Sequence, residues 1–209
     1  MGDLPLTRIA LPEDRQRAIR EAVRAASGIG FENAPSRTAT LDDAEALYRF
    51  LADPEIHAPI YNLPRPLTLE SVRGMIQRNL DAKADGTGML FLRFDEGGEV
   101  LGYSEFEIWP EWGAGDLGGA LRQDQQGHRA GVEGANRTFD WMFKALGLEL
   151  IVATGALDNI RTARLLDRLG FVRKGEITST REDGSTRQSL VWEVTRAQWD
   201  RARVGDSEA

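Results

Sequence analysis

The residues with the clearest chemical reading stand together in QQGHRAGVEG, Gln125 to Gly134, between a run of strand character and a helix-patterned segment. A small-residue loop that opens into a helix leaves backbone N–H groups unpaired where the helix dipole is positive, which suits phosphate. Gly127 and Gly131 would let the backbone approach an anion closely. His128 and Arg129 would add charge-assisted hydrogen bonds of about 1.5 to 3 kcal/mol each. Seen alone, the same loop also reads as an ordinary helix entry. No Walker-type lysine follows the glycines, which disfavours a stand-alone nucleotide-binding module.

Composition removes several other chemistries. With no cysteine there is no disulfide framework, thiolate metal site or cysteine nucleophile. The two histidines, His57 and His128, are far apart and lack coordinating neighbours at ligand spacing, so no metal is expected. Lys+Arg 26 against Asp+Glu 33 gives a formal charge of -7, opposed to a nucleic-acid footprint and compatible with a cationic acceptor or with solubility alone. The first residues, MGDLPLTRIALPEDRQ, lack the apolar stretch of a signal peptide, and no later run is long enough to span a bilayer, so a cytoplasmic protein without a membrane partner is expected.

The elements that must position such a loop follow from periodicity. Ile19, Ala22, Val23 and Ala26 predict a short amphipathic helix from Pro12 to Ser27, and GIGFENAPS, Gly28 to Ser36, reads as a linker. This gives an N-terminal extension, 1–35, and a main domain, 36–209, although the likeness of TRIALPED to TATLDDAE leaves an earlier boundary open. A strand near Arg37 to Thr40 precedes a helix over LDDAEALYRFLAD that Pro54 is expected to close. A further helix begins at the N-cap Thr68 and stops at Gly86.

MLFLRF and VLGYSEFEIW, joined through Gly97-Gly98, predict an antiparallel hairpin. DLGGALR is the strand that feeds the glycine loop, and Val132, Ala135, Phe139, Met142, Phe143 and Leu146 mark the helix after it. LELIVATGAL reads as a central strand, Asp158-Asn159 as the cap of a last helix that runs to Gly170, and the tail as two strands joined through Asp183-Gly184. Aromatic Tyr61, Trp109 and Trp112 stand in loops where either packing or an acceptor pocket would use them.

The loop, Gln126, Gly127, His128, Arg129, Ala130 and Gly131, resembles the pyrophosphate loop Gln/Arg-x-x-Gly-x-Gly/Ala of the GNAT superfamily of N-acetyltransferases, with Arg129 at the central glycine position. The segment GDLGGALRQDQQGHRAGVEGANRTFDWMF is similar to the branch that modifies ribosomal proteins and antibiotics. DNIRTARLLDRLGFVRKGEI, from Asp158, follows the family's Asn-x-x-Ser/Thr-x-x-Leu-Leu-x-x-Leu-Gly-Phe element, and SLVWEVTRAQW matches that branch's ending, so the resemblance covers about Ser36 to Trp199.

The resemblance implies an α/β (α+β) fold: a mixed, mostly antiparallel central sheet with splayed parallel strands, flanked by helices. It implies acetyl-CoA as co-substrate and an amine as acceptor. Ala120 to Gln123, thus Leu121, Arg122 and Gln123 with Ala120 before them, would form the open edge along the pantetheine, with the N–H near Leu121 as oxyanion donor. Asn159 would bind the pantetheine or cap its helix. Glu105, Glu107 and Asp116 are the candidate bases. Glu105 and Glu107 share a face by alternation, although solvated strand carboxylates would look alike.

Many relatives donate the thiol proton from a tyrosine. Leu166 stands there, so Thr162, at the family's Ser/Thr position, is the implied donor or water orienter. Amine acidity decides how much base is needed. An α-amine near 7.8 is about 14% neutral at pH 7 and a lysine near 10.4 about 0.04%, a difference of about 3.5 kcal/mol. The alternative is a non-catalytic acyl-CoA-binding regulator. The leading helix serves as a homodimer contact or as a cover for the sheet, and the residues do not choose.

Overall fold

The structure is a computed structural model and describes residues 4–30, 36–125, 130–180 and 184–206. The first helix, α1 (Glu13–Ala25), has Glu13 and Asp14 in its first turn, where they favour the positive dipole end, and buries Ile19 and Val23. Strand β1 (Ser36–Thr38) is shorter than the expected one and leads through a 3-10 turn, Leu41–Asp43, into α2 (Ala44–Leu51). Pro54 does not simply end a helix: it opens a second short one, α3 (Pro54–His57), behind the N-cap Asp53, whose carboxylate accepts from the Glu55 N–H. The physical reason is that a proline lacks only a donor that the first turn leaves unused.

Helix α4 (Leu69–Asp85) is bounded as expected. Thr68 and Ser71 exchange side-chain and backbone hydrogen bonds, and Gly86 takes a left-handed conformation at φ 74. Strands β2 (Gly88–Phe94) and β3 (Val100–Trp109) form the antiparallel hairpin, with Leu90 opposite Glu105 and Gly88 opposite Glu107. Then come β4 (Ala114–Leu121), α5 (Ala130–Ala145), β5 (Leu150–Ala156) and α6 (Ile160–Arg168). The chain continues through β6 (Val172–Thr180) and β7 (Thr186–Thr195). It closes with α7 (Arg196–Asp206), a further helix after the one that the sequence reading took as last.

The seven strands form one mixed sheet in the order β1-β2-β3-β4-β5-β7-β6, and its parallel pair is β4 with β5. That ladder registers Ala114 with Leu150, Gly115 with Ile151 and Asp116 with Val152, although β4 has 8 residues and β5 has 7. On the other side of β5, β7 pairs over the whole strand, from Leu150↔Thr195 to Ala156↔Ser189.

The chain divides into two compact units. One comprises Arg20–Glu107 and Leu117–Gly134. Its core sets Leu47 and Leu51 of α2 and Val72, Met75 and Ile76 of α4 against Leu90 of β2. Each such side chain contributes about 1.5 to 3 kcal/mol by leaving water. The other comprises Met1–Ile19, Ile108–Asp116 and Ala135–Ala209. There Phe139 of α5 meets Phe171 at 5.0 Å between ring centres, and Phe143 meets Trp199 of α7 at 5.7 Å. In the same unit Leu4 is buried, and the Glu193 carboxylate of β7 accepts from the N–H groups of Leu6 and Thr7 at 2.8 and 2.9 Å.

Candidate active site

In the unit built on α2 to α4, the polar face of β3 is not the solvated strip that alternation alone permits. Glu105 and Glu107 are both half-buried, and Tyr103, two residues earlier, is buried. One Glu105 carboxylate oxygen accepts from Asn79 Nδ2 of α4 at 2.8 Å. Desolvation pushes the Glu105 carboxyl above the usual range, opposed by the Asn79 hydrogen bond and by the Arg78 charge. The Glu107 carboxyl is also raised, first by desolvation and then by its like-charged neighbour Glu105. Burial, reinforced by the Glu105 charge, raises the Tyr103 hydroxyl and keeps it protonated.

On β4 beside this face lies Gly118, where an added Cβ would meet Asn62 Nδ2 at 3.6 Å and the Glu105 carbonyl oxygen at 4.0 Å. A side chain there would fill the space between the Asn62 loop and β3.

The other predicted residues fall as follows. Leu121 ends β4, and Gln123 opens a short exposed 3-10 turn, Gln123–Gln125. Arg122 is already engaged: its guanidinium binds Asp124 at 2.8 and 2.9 Å and Asp95 at 3.1 Å, and its N–H donates to the Leu101 carbonyl. With the guanidinium committed to two carboxylates and the N–H to the Leu101 carbonyl of β3, neither donor of Arg122 is left for the expected edge along the pantetheine. Gln126, Gly127, His128 and Arg129 lie outside the described residues, and Ala130 and Gly131 are the first residues of α5.

Asp116 stands in the other unit, half-buried at the end of the β4–β5 ladder opposite Val152. In that unit Asn159 Oδ1 accepts from the Thr162 N–H at 3.0 Å, so its capping role is real, while the amide Nδ2 remains available as a donor. Thr162 packs close to β5: a Cβ added at Gly155 would lie 3.4 Å from Thr162 Cγ2. Leu166 is buried in the core, and Trp109 and Trp112 pack against Leu4, Leu150 and Val191, which makes both tryptophans packing residues. Among the described residues no group of three His, Cys, Asp or Glu side chains could hold a metal ion.

Asn79 is the site residue that the sequence reading missed. For Asn79 a signal existed. Val72, Met75, Ile76, Asn79 and Leu80 follow helical spacing on the face of α4 turned to the core, and one of them is an amide.

A coenzyme A thioester asks for main-chain donors along an extended edge and for an amide that can reach a pantetheine. The Asn159 amide, which keeps its Nδ2 as a donor, fits the second demand. The GNAT acetyltransferase domain family matches residues 36–172. The chain is 28% identical over 141 residues to an uncharacterized N-acetyltransferase, p20, of Bacillus licheniformis, covering 66% of this chain and 79% of that protein.

The fold is similar to that of the ribosomal-protein-S5-alanine acetyltransferase of Vibrio fischeri, with a TM-score of 0.68 and 23% identity over 83% of this chain and 99% of that one. It is also similar to Mycobacterium smegmatis RimJ, solved in complex with CoA-disulfide, with a TM-score of 0.66 and 18% identity over 79% of this chain and 83% of that one. The mixed seven-stranded sheet with its single parallel pair is thus shared with acetyltransferases, and with a family match across 36–172 the chain belongs to the GNAT acetyltransferase family.

Proposed function

We propose that this protein is a cytoplasmic N-acetyltransferase that moves an acetyl group from acetyl-CoA to a primary amine, either a protein N-terminus or a small-molecule amine, by direct attack in a ternary complex. The observation that carries the reading is the half-buried Glu105 carboxylate, hydrogen-bonded at 2.8 Å to Asn79 and raised in proton affinity by desolvation. A carboxyl raised towards neutrality is better matched to taking a proton near pH 7 than an ordinary surface glutamate. Acetyl-CoA, when bound, supplies an acyl carbon joined to a thiolate leaving group.

Glu105 takes the proton that the amine loses as its nitrogen bonds to that carbon and the C–S bond breaks. Glu107 adds negative charge that attracts an ammonium form of the acceptor, and Asp116 remains a second candidate base. The backbone N–H near Leu121 polarises the acyl oxygen. Thr162, directly or through water, returns a proton to the leaving thiolate, and Asn159 holds the pantetheine arm. The loop from Gln126 to Gly131 is assigned to the pyrophosphate.

The buried Leu166, which has no hydroxyl to offer, favours a second reading, an acyl-CoA-binding regulator without turnover. One experiment separates the two. Purified protein is incubated with acetyl-CoA and a panel of alanine- and serine-initiated peptides, aminoglycosides and small amines, with thiol release and acceptor mass followed together. Thiol release coupled to an acetylated amine supports the enzyme. Acetyl-CoA binding with release no faster than the protein-free rate across the panel supports the regulator.

A further inference from the structure

The amide of Asn79 is held in one orientation by two acceptors. Its Nδ2 donates to the Met75 carbonyl, one turn earlier in α4, at 3.1 Å and to the Glu105 carboxylate at 2.8 Å. An amide nitrogen carries two hydrogens, and these two bonds use both. Turning the amide over would set Oδ1 against two oxygens, and the Met75 carbonyl, a fixed part of the helix ladder, opposes that turn whatever the state of Glu105. Asn79 therefore offers Glu105 a donor and no acceptor. A donor favours the ionised carboxylate over the carboxylic acid, and it fixes one oxygen so that the other is left to face the reaction.

We propose that Asn79 is the positioning residue for Glu105: locked by the Met75 carbonyl, it aims one carboxylate oxygen and leaves the other to accept the proton. The inference deepens the reading of Glu105 as base and rests on it for its catalytic meaning. The other groups that bear on Glu105 are Arg78 on α4 and Tyr103 and Glu107 on β3, while across the β2 ladder it meets Leu90, which has no charge. Of these, Arg78 assists the carboxylate through its charge and Glu107 opposes it. Asn79 is the neighbour on α4 that donates a hydrogen bond to it, at 2.8 Å.

The test is a titration of the Glu105 side-chain carboxyl by carbon NMR in the ligand-free protein, its signal assigned by its loss in Glu105→Gln. Asn79→Leu, which matches the neighbouring Met75, Ile76 and Leu80 in character, should move the midpoint to higher pH. Asn79→Asp should move it the same way and further, and serves if the leucine variant fails to fold.

With acetyl-CoA and an alanine-initiated peptide, Asn79→Leu should lower kcat at pH 7 by about tenfold or more, the effect of one hydrogen bond to a charged group, with the KM for acetyl-CoA within twofold. The acidic limb of its pH–rate profile should move up with the titration, and in a Glu105→Gln background the same change should cost less than twofold. A wild-type midpoint in both Asn79 variants, or an equal loss in the Glu105→Gln background, overturns the inference. Full turnover by Glu105→Gln would instead remove the base reading, while the titration would still decide whether Asn79 governs the ionisation of Glu105.

Discussion

Replacing Glu105 with glutamine should damage the reaction and leave the fold no weaker at alkaline pH, because the group is placed at a cost. The substitution keeps the length of the side chain and an Oε1 that can still accept from Asn79. It removes the charge whose desolvation raises the carboxyl above its usual range. An acid with a raised folded-state pKa holds its proton more tightly when folded, so the wild type is favoured at low pH. It loses stability relative to the glutamine variant as pH climbs from the ordinary glutamate value, about 4.3, through the raised one.

The melting temperature of Glu105→Gln minus that of the wild type should therefore grow as pH rises from the ordinary glutamate value through the raised one and then level off. Turnover should fall by roughly 10² to 10⁴, the contribution of a positioned base, which corresponds to about 2.7 to 5.4 kcal/mol on the barrier. The assays are initial rates of thiol release with excess acetyl-CoA and thermal melts over the same pH series. Turnover within threefold of wild type at pH 8, or a melting difference that shrinks as pH rises, would refute the reasoning.

Three other outcomes are expected. Asp43 is almost buried, binds Arg37 at 2.6 and 2.8 Å and accepts from Thr40 N–H and Oγ1, and these contacts hold its carboxyl below the usual range, chiefly through the Arg37 hydrogen bonds. Asp43→Ala should cost roughly 2 to 4 kcal/mol in denaturant unfolding. Sensitivity to acid has the opposite sign to that at Glu105: the advantage over Asp43→Asn is complete above the ordinary aspartate range and fades as pH falls through the depressed value. Thr162→Ala should lower kcat about tenfold with the KM for acetyl-CoA within twofold, whereas equal loss of both would make its role structural. Arg122→Ala should change stability by less than about 1 kcal/mol and leave acetyl-CoA affinity within threefold, since its pairs with Asp95 and Asp124 are partly exposed; a tenfold weaker affinity would give the guanidinium a part in holding the coenzyme.

The parts legible in the sequence are those that short-range chemistry decides. Thr68 and Gly86 bound α4 because a cap and a left-handed residue act within one turn, and the β2–β3 hairpin follows from two apolar runs and a glycine pair. Pro54 was half legible. The ring forbids continuing α2, and whether a new helix starts there depends on Asp53 turning its carboxylate to the Glu55 N–H. Helix α7 gives periodicity little to detect, for among its described side chains the one placed deep in the core is Trp199, and Arg196 ties its start to the carbonyls of Phe143 and Leu148. Arg122 shows the limit for charged residues. Its partner Asp124 is two positions away, but Asp95 reaches it only through the fold, and no pattern along the chain predicts that the guanidinium is already taken.

The placement of Asn79 depends in turn on what fixes α4, and here the end of the leading helix acquires a part that composition could not assign. Arg20 Nη1 donates to the Asp85 carbonyl at 3.1 Å, and Arg24 donates to the carbonyls of Ala84 and Asp85 at 2.8 and 3.3 Å. Lys83 returns the favour, donating to the carbonyls of Val23 and Arg24 at 3.2 and 2.5 Å. The last turns of α1 and α4 thus satisfy each other's orphan carbonyls with positive charge at the negative ends of both dipoles. Gly86 permits this approach, since a Cβ there would lie 2.7 Å from that of Arg20. At its other end α4 is held by the Thr68–Ser71 exchange. The contact between the two helix ends therefore ties the C-terminal turn of α4, the helix that carries Asn79, to α1, while the Thr68–Ser71 exchange closes its first turn.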